Sequence, residues 1–239
     1  PSGFNAISTA NLPDPAIPLP EEHFVPVIWS GNSTDNRVIP VGFAADLTWF
    51  KQRTGTNSLA LFDTVRGNSN PNGFSSNSAA ASFDWTGIFK GHTSTGFTVG
   101  TDNAVNANGN TYVAWNWKAN GSGSTDTSGD IDAVVSANQA SGFSIVTFTG
   151  NGSNAGTVPH GLGVAPEMVI YKRRNNGASN WVNWVTVIDG GDDYLSLNTT
   201  GAAASLSGVG SITSSFISNA AYGSEPMLAY CFASKPSFS

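Results

Sequence analysis

The sequence predicts an all-β protein built from two tandem, internally duplicated β-sandwich lobes of jelly-roll-like character. Three observations predict this fold class. The composition is 39% hydrophobic but only 11% charged, with 27 glycines, which suits short strands joined by many turns rather than long surface helices. Apolar segments have the length of strands and alternate with period two. Finally, one long stretch of the chain occurs twice.

The repeat is clearest in two phrases, "DLTWFKQR" at residues 46–53 and "EMVIYKRR" at residues 167–174. The match extends over residues 23–53 and 142–174 with a small insertion, and it aligns a Gly-Asn turn in both copies. Near the end of each copy, "YVAWNWKA" is echoed by "MLAYCFAS". Repeated segments that begin and end together indicate that each copy is one structural unit.

The last predicted strand of each copy carries an aliphatic and two aromatic side chains on one face, because alternate residues of a strand share a face. These side chains are Val113, Trp115 and Trp117 in the first copy and Leu228, Tyr230 and Phe232 in the second. We expect both sets to fill the cores of their own lobes. The predicted cores also include Trp29, Leu47 and Trp49 in the first lobe and Phe148, Met168 and Ile170 in the second.

The repeat also sets the predicted domain boundaries. They are an extended leader over residues 1–22, the first lobe over 23–119, a linker with one strand over 120–141, and the second lobe over 142–239. The polar "ANGSGSTDTSGDID" is typical of a flexible linker, and the following "AVVSANQA" predicts a strand. Pro26 predicts an edge position or a bulge for the first strand, because proline cannot donate to a ladder.

Charge and hydropathy argue against several partners. Ten basic and sixteen acidic residues give a formal net charge of −6, so nucleic acid is not an expected partner. No apolar run reaches the roughly 18 residues of a membrane span, so no membrane is expected either. The single cysteine, Cys231, lies in an apolar run and is expected to be a small buried hydrophobe.

No catalytic site, metal site or cofactor is predicted. The three histidines are far apart and lack the spacing of metal ligands, and His160 in "VPHGLG" is expected to pack in a turn. No pair of strand-borne carboxylates indicates a glycosidase. The oxygen-rich "DTSGDID" of residues 126–132 lacks the bidentate glutamate that completes a calcium loop.

The predicted ligand site lies where the two copies diverge, at residues 175–194. Trp181 and Trp184 are three residues apart, so in a strand they face opposite sides, and one ring is expected to point outward. The polar groups that accompany the rings are Asn183, Asp192 and Asp193, a mixture suited to a neutral polar ligand. Two alternatives stay open: a neighbouring module or subunit covers both rings, or the aspartates form a solvated turn.

Several longer motifs resemble a known family. They include "TANLPDPAI", "LFDTVRG", "NGNTYVAWNWKA", "FTGNGS" and "VPHGLG". Together they resemble repeat modules of tail-fibre-like and other virion proteins of bacteriophages, over nearly the whole chain. In that family a segment like "TANLPDP" commonly follows a SPRY-type β-sandwich domain. The resemblance implies a longer parent polypeptide on the virion surface, with other virion proteins and neighbouring modules as partners.

The function that the resemblance implies is a non-catalytic module of a phage tail fibre or spike that attaches to a glycan or a protein on the host surface. The alternative is a purely structural spacer or capsid decoration module, and the third interpretation is a glycan depolymerase. The leading interpretation is therefore not an enzyme. Phage fibres are commonly trimeric, but no heptads specify a trimeric stalk here, so a homo-oligomer such as a trimer stays open.

Overall fold

The computed structural model describes residues 19–57, 59–67, 72–84, 87–175, 178–186, 193–205, 209–219 and 223–236. Within these ranges the ordered elements are β-strands, apart from a turn of 3-10 helix at Pro20–Glu22. The same ranges include no helix of the length and hydropathy that a bilayer crossing needs. The prediction of an all-β fold is confirmed.

The strands fall into two halves of the chain. Those of the first half are β1 (Phe24–Ser30), β2 (Arg37–Pro40), β3 (Leu47–Gln52), β4 (Ala60–Asp63), β5 (Asn72–Ser75), β6 (Phe83–Asp84), β7 (Phe89–Thr93), β8 (Gly96–Val99) and β9 (Thr111–Trp117). Those that follow are β10 (Ser124–Asp126), β11 (Ala133–Asn138), β12 (Phe143–Thr149), β13 (Thr157–Pro159), β14 (Met168–Arg173), β15 (Val182–Val185), β16 (Asp193–Ser196), β17 (Ala204–Ser205), β18 (Phe216–Ser218) and β19 (Pro226–Phe232).

These strands form four antiparallel sheets. Sheet A has the order β1-β9-β3-β4-β5-β6, and the small sheet B has the order β2-β8-β7. Sheet C has the order β10-β11-β12-β19-β14-β15-β16-β17, and the small sheet D pairs β13 with β18. The strand order of sheet A therefore recurs in sheet C from β12 to β17. That a duplication produced the two halves stays a prediction, which superposition of their backbones tests.

The phrase that occurs twice forms β3 and β14, and in each half it lies beside the last strand. The backbone amide of Asp46 donates to the carbonyl of Trp117 at 2.8 Å, and the amide of Glu167 donates to the carbonyl of Phe232 at 2.8 Å. The two phrases thus hold the same place and the same register in their sheets.

The sheets stack as layers around three apolar cores. Sheets A and B enclose the first core, whose largest side chains include Trp29, Phe50, Phe62, Phe89 and Tyr112. Sheets C and D enclose the second, with Phe148, Tyr171, Trp184, Met227 and Cys231. The third core lies between sheets A and C and contains Leu47, Leu61, Phe74, Ile145, Ile170, Trp181, Leu228 and Tyr230. We call this third core the seam, because it joins the two sandwiches face to face.

The aromatic residues predicted to fill the lobe cores from the last strands lie on the seam side of their sheets instead. Tyr112 and Ala114 point into the core between sheets A and B, whereas Trp115 and Trp117 lie half-buried on the opposite face of β9. Tyr230 is buried in the seam as well. The prediction that the aromatic stripes fill the cores of their own lobes is wrong. Sheet A packs on sheet B through one face and on sheet C through part of the other, and alternation alone does not show which face belongs to which core.

The other predicted core residues divide between the layers. Trp29 and Phe148 lie in the sandwich cores as predicted, whereas Leu47, Trp49, Met168 and Ile170 lie at the seam. The edge position predicted from Pro26 is confirmed, because β1 is the outer strand of sheet A. The predicted linker instead contributes β10 to sheet C, and the strand predicted after it is β11.

Two single residues behave as predicted. Cys231 is buried in the core between sheets C and D, and burial raises the pKa of its thiol to about 12. His160 is buried in a turn, where its Nδ1 accepts a hydrogen bond from the amide of Leu162 at 3.3 Å. Its Nε2 lies 3.2 Å from the carbonyl of Thr213. Burial is the main cause of the lowered pKa of His160.

A row of polar side chains crosses the core of the first sandwich. The hydroxyl of Thr48 donates to Asn116 Oδ1 at 3.0 Å, and His92 Nε2 lies 3.1 Å from the same hydroxyl. Since the hydroxyl gives its one proton to Asn116, His92 donates to it through Nε2. Burial is the main cause that lowers the pKa of His92 to about 4, while Asp63 opposes this shift and Arg66 adds to it.

We expect protonation of His92 to destabilise the fold in acid. An unfolded histidine has a pKa of about 6.5, so below that pH the unfolded chain binds a proton that the folded chain resists. The contribution of His92 to stability is complete above pH 6.5 and is lost as pH falls to about 4, a difference of about 3 kcal/mol. Urea denaturation across this range should show a steeper slope in the wild type than in His92→Gln, whose amide still donates to Thr48. Equal slopes in both proteins would contradict the buried neutral ring.

Candidate functional site

The two tryptophans predicted to bind a ligand are both buried. Trp181 is 0% exposed and Trp184 is 2% exposed. They face opposite sides of sheet C, as predicted, since Trp181 packs in the seam and Trp184 in the core between sheets C and D. The indole N–H of Trp181 donates to the carbonyl of Ser75 at 2.9 Å, and its ring meets Phe74 edge-on at 5.4 Å. The expectation of an outward ring is wrong, because the first half of the chain covers the seam face.

The polar residues of the predicted site do not form a binding surface with these rings. Asn183 is half-buried on β15, and its Oδ1 accepts no hydrogen bond from any described residue. Asp193 begins β16 and accepts a hydrogen bond from the hydroxyl of Ser205 at 2.5 Å. Asp192 lies outside the described residues. The structure therefore gives the tryptophans a packing role and leaves Asn183 and Asp193 beside them on neighbouring strands.

A buried charged cluster joins the two halves inside the seam. Asp63, at the end of β4, accepts hydrogen bonds from Arg66 Nε at 2.5 Å and from the hydroxyl of Tyr230 at 2.7 Å. The side chains of Arg66 and Asp63 are 2% and 0% exposed. The guanidinium also lies 4.6 Å from the centre of the Phe74 ring. Burial, followed by the Asp63 carboxylate, raises the pKa of Tyr230 well above its usual value, so its hydroxyl stays a donor.

A lysine from the repeated phrase fixes the same boundary. Lys172 Nζ donates to the carbonyl of Ala79 at 3.0 Å and to that of Ser179 at 2.5 Å. The ammonium lies 5.6 Å from the centre of the Trp181 ring. Burial, with a smaller effect of Arg173, lowers the pKa of Lys172 to about 8. This side chain ties the chain segment after β5 of the first half to the second half.

One end of the seam opens into a pocket of about 540 Å³. Each half contributes an aromatic pair at the same register position, Phe24 beside Trp117 in sheet A and Phe143 beside Phe232 in sheet C. The ring centroids are 4.9 Å apart in the first pair and 5.1 Å apart in the second. Across the seam, the Trp117 ring lies 6.1 Å from each phenylalanine of the second pair. The pocket therefore exists only because the two halves meet.

The rim of the pocket is made of turns. The 3-10 turn at Pro20–Glu22 places the exposed Glu21 on one side, and Ser141 and Gly142 precede β12 on the other. Gly142 has a φ of 72°, and a Cβ there would lie 2.4 Å from the carbonyl oxygen of Ala233. Only glycine fits this close approach. The amide of Ala233 donates back to the carbonyl of Gly142 at 2.7 Å, which fixes the rim to the end of β19.

The pocket suits a neutral polar ligand that has an apolar face. Phe24, Trp117 and Phe232 are half-buried and line the pocket. Glu21 adds a carboxylate, and Glu167 lines an adjoining hollow of about 160 Å³ beside Phe232. Flat rings pack against the C–H faces of a ligand while carboxylates accept hydrogen bonds from its hydroxyls. Among the described residues, no group of three or more His, Cys, Asp or Glu is placed to hold a metal ion.

A second groove, of about 590 Å³, crosses β10, β11 and β12. The aromatic ring among its lining residues is Phe148, which is 5% exposed. Its wall includes Asp130 of the oxygen-rich segment, whose carboxylate accepts hydrogen bonds from the amide of Thr157 at 3.1 Å and from its hydroxyl at 2.8 Å. These bonds lower the pKa of Asp130. We favour the seam pocket because the groove has no accessible ring among its described lining residues.

Sequence reasoning missed the pocket although it found the equivalence of the residues that form it. The repeat pairs Phe24 with Phe143 and Trp117 with Phe232, but the last two were assigned to lobe cores. The available signal was two equivalent aromatic pairs at the ends of neighbouring strands. The sequence pattern did not indicate that the two halves pack face to face, and this packing is what turns the pairs into a pocket.

The fold and the pocket define an all-β protein of two face-to-face sandwiches with a ligand-sized opening between them. Residues 19–239 match the model of a domain of unknown function, DUF7483, and the chain belongs to this family. No curated protein and no solved structure matches the chain.

Proposed function

We propose that the chain is a non-catalytic module of a bacteriophage virion appendage, such as a tail fibre or spike, which attaches to the host surface by binding glycan in the seam pocket. One observation carries the proposal, namely the opening lined by three half-buried aromatic residues above the buried ring of Phe143, with the carboxylate of Glu21 at its rim. The motifs that resemble phage virion modules support the setting, on the particle surface beside other virion proteins and neighbouring modules.

The chemistry of the pocket favours a sugar over a charged ligand. A sugar ring has C–H faces that pack on aromatic rings and hydroxyls that donate to carboxylates. The rim supplies few polar groups, as is usual for pockets that orient a small ligand. A single site of this kind binds weakly, and an appendage with several copies gains avidity because the later binding events become intramolecular.

A matched pair of tryptophans tests the proposal. Trp115 and Trp117 lie on the same face of β9 and are both half-buried, but only Trp117 lines the pocket. In a glycan array with the full chain, Trp117→Ala should weaken binding at least about tenfold, because it removes a stacking ring worth more than about 1.4 kcal/mol. Trp115→Ala should bind like the wild type.

Glu21→Gln gives an independent arm of the same experiment. The side chain is exposed, so its replacement leaves the fold intact, and it should reduce affinity several-fold through the loss of a charged acceptor. Circular dichroism checks that every variant is folded. Binding that is equal in wild type and Trp117→Ala, or a wild-type chain that binds no bacterial glycan, would refute the pocket as the attachment site.

The depolymerase interpretation gains no support from the buried carboxylates that the structure describes. Asp63 is held by Arg66 and Tyr230. Asp46 accepts hydrogen bonds from the hydroxyl of Thr64 at 3.0 Å and from the amide of Ala119 at 2.7 Å. Both carboxylates are engaged within the fold.

A role as a structural spacer is favoured by a different observation, an apolar face of sheet A that sheet C leaves uncovered.

A further inference from the structure

Sheets A and C present equivalent faces to the seam, but only the part of sheet C formed by β12, β19 and β14 is fully covered. Its rows across β12, β19 and β14 consist of residues that are at most 8% exposed: Ile145, Tyr230 and Ile170, then Thr147, Leu228 and Lys172. The equivalent rows of sheet A are Pro26, Trp115 and Trp49, then Ile28, Val113 and Lys51. There Ile28 is 64% exposed, Pro26 is exposed and the others are half-buried. We call Pro26, Ile28, Val113 and Trp115 the Ile28 face.

The covered face of sheet C shows what kind of element fits such a surface. Strands β4 and β5 of the first half supply Leu61 and Phe74, which are 1% and 0% exposed in the seam. The carboxylate of Asp63 on β4 binds the hydroxyl of Tyr230, the residue equivalent to Trp115. The partner of this face is therefore a pair of neighbouring strands with apolar side chains.

The second half contains the counterpart of that strand pair. Asn183 is the counterpart of Leu61, because it pairs with Ile170 as Leu61 pairs with Trp49. Leu195 is the counterpart of Phe74, because it pairs with Asn183 as Phe74 pairs with Leu61. Unlike Leu61 and Phe74, these counterparts are half-buried, and Leu197 just beyond β16 is 38% exposed. We call Asn183, Val185, Leu195 and Leu197 the β15–β16 face. It has no partner of the kind that β4 and β5 have within the described part of the chain.

We infer that the Ile28 face binds the β15–β16 face of a second copy of this chain. Within one chain, β4 and β5 of sheet A cover sheet C. In the inferred contact, β15 and β16 of one copy cover sheet A of the next copy in the same way. The Ile28 face is continuous with that existing interface, since Trp49 and Trp117 pack at the edge of the seam. Two different surfaces meet, so the contact is heterologous and joins copies head to tail into a ring or a fibre. The inference does not depend on glycan binding.

Sedimentation velocity of the full chain over a wide concentration range tests this contact. The wild type should show a mass that rises with concentration beyond a dimer. Ile28→Lys and Leu197→Lys, each at an exposed position, should weaken association at least about tenfold, because each places a charge in an apolar contact. Val38→Lys on β2, at a residue 51% exposed outside both faces, should associate like the wild type.

Mixing the two lysine variants separates this contact from other modes of association. Ile28→Lys keeps an intact β15–β16 face and Leu197→Lys keeps an intact Ile28 face, so an equimolar mixture should form a dimer and stop there. A wild type that remains monomeric at every concentration overturns the inference. A mixture that stays monomeric although the wild type associates also overturns the inference. In that case the wild type associates through two identical surfaces, or through a surface other than the Ile28 and β15–β16 faces.

Discussion

Asp63→Ala is expected to lower the free energy of unfolding by about 3 to 5 kcal/mol, as for other buried ion pairs that lose one member. The substitution leaves the guanidinium of Arg66, 2% exposed, without its carboxylate. It also removes the acceptor of the Tyr230 hydroxyl, which lies in the seam with 1% of the residue exposed. Neither group can reach water without opening the seam. Urea denaturation followed by circular dichroism measures the loss.

Two controls define this effect. Asp63→Leu combined with Arg66→Met removes both charges and should recover part of the loss, because packed apolar side chains often replace a buried ion pair without a net cost. The remaining loss comes from the Tyr230 hydroxyl, which still lacks its acceptor. Asp35→Ala breaks the exposed pair in which Lys90 Nζ lies 3.4 Å from the carboxylate, and it should cost less than about 1 kcal/mol. A similarly small loss for Asp63→Ala would show that the cluster does not hold the halves together.

Trp181→Ala should cost about 3 to 5 kcal/mol, the usual range for removing a large buried ring. The ring is 0% exposed, and it packs against Phe74 while its N–H donates to Ser75. Its removal leaves a cavity in the seam and takes one of two hydrogen bonds from the Ser75 carbonyl, which also accepts from the amide of Ser78 at 3.3 Å. The midpoint of urea denaturation measures this loss, and Val38→Ala, at a residue 51% exposed, is a surface control expected within about 0.5 kcal/mol of wild type.

The same variant separates a packing role from a ligand-binding role. With a packing role, Trp181→Ala is less stable, and glycan binding changes only as far as the seam loosens. A Trp181→Ala protein as stable as the wild type but unable to bind glycan would restore the ligand site predicted from the sequence and contradict the covered ring.

Period-two alternation predicted the direction of side chains better than their burial. It placed Trp181 and Trp184 on opposite faces of one strand, which the structure confirms. It also placed Trp115 and Tyr230 on equivalent faces of the last strands. Whether a face is covered depends on a sheet that is distant in sequence, and alternation carries no information about that sheet. Tyr230 is therefore buried while Trp115 is only half-buried.

Local features were predicted well because their causes are local. Pro26 indicated an edge strand, since the missing N–H is a property of that residue alone. The charged cluster of the seam shows the opposite case, because Asp63 and Tyr230 are 167 residues apart in sequence. The pocket likewise combines Glu21 and Trp117 with rings of the second half. Its residues become neighbours only when the sandwiches dock, and no spacing within the sequence encodes that contact.

The most direct test of the seam pocket uses the tryptophans themselves, of which the chain has seven. The full chain is labelled with 5-fluorotryptophan, each ¹⁹F resonance is assigned by a Trp→Phe variant, and bacterial surface polysaccharides are titrated in. We predict that the resonance of Trp117 shifts saturably with a bound glycan, while those of Trp181, buried in the seam, and Trp115, outside the pocket, stay in place. Saturable shifts at Trp115 or Trp181 with Trp117 unchanged would contradict the assignment of glycan binding to the seam pocket.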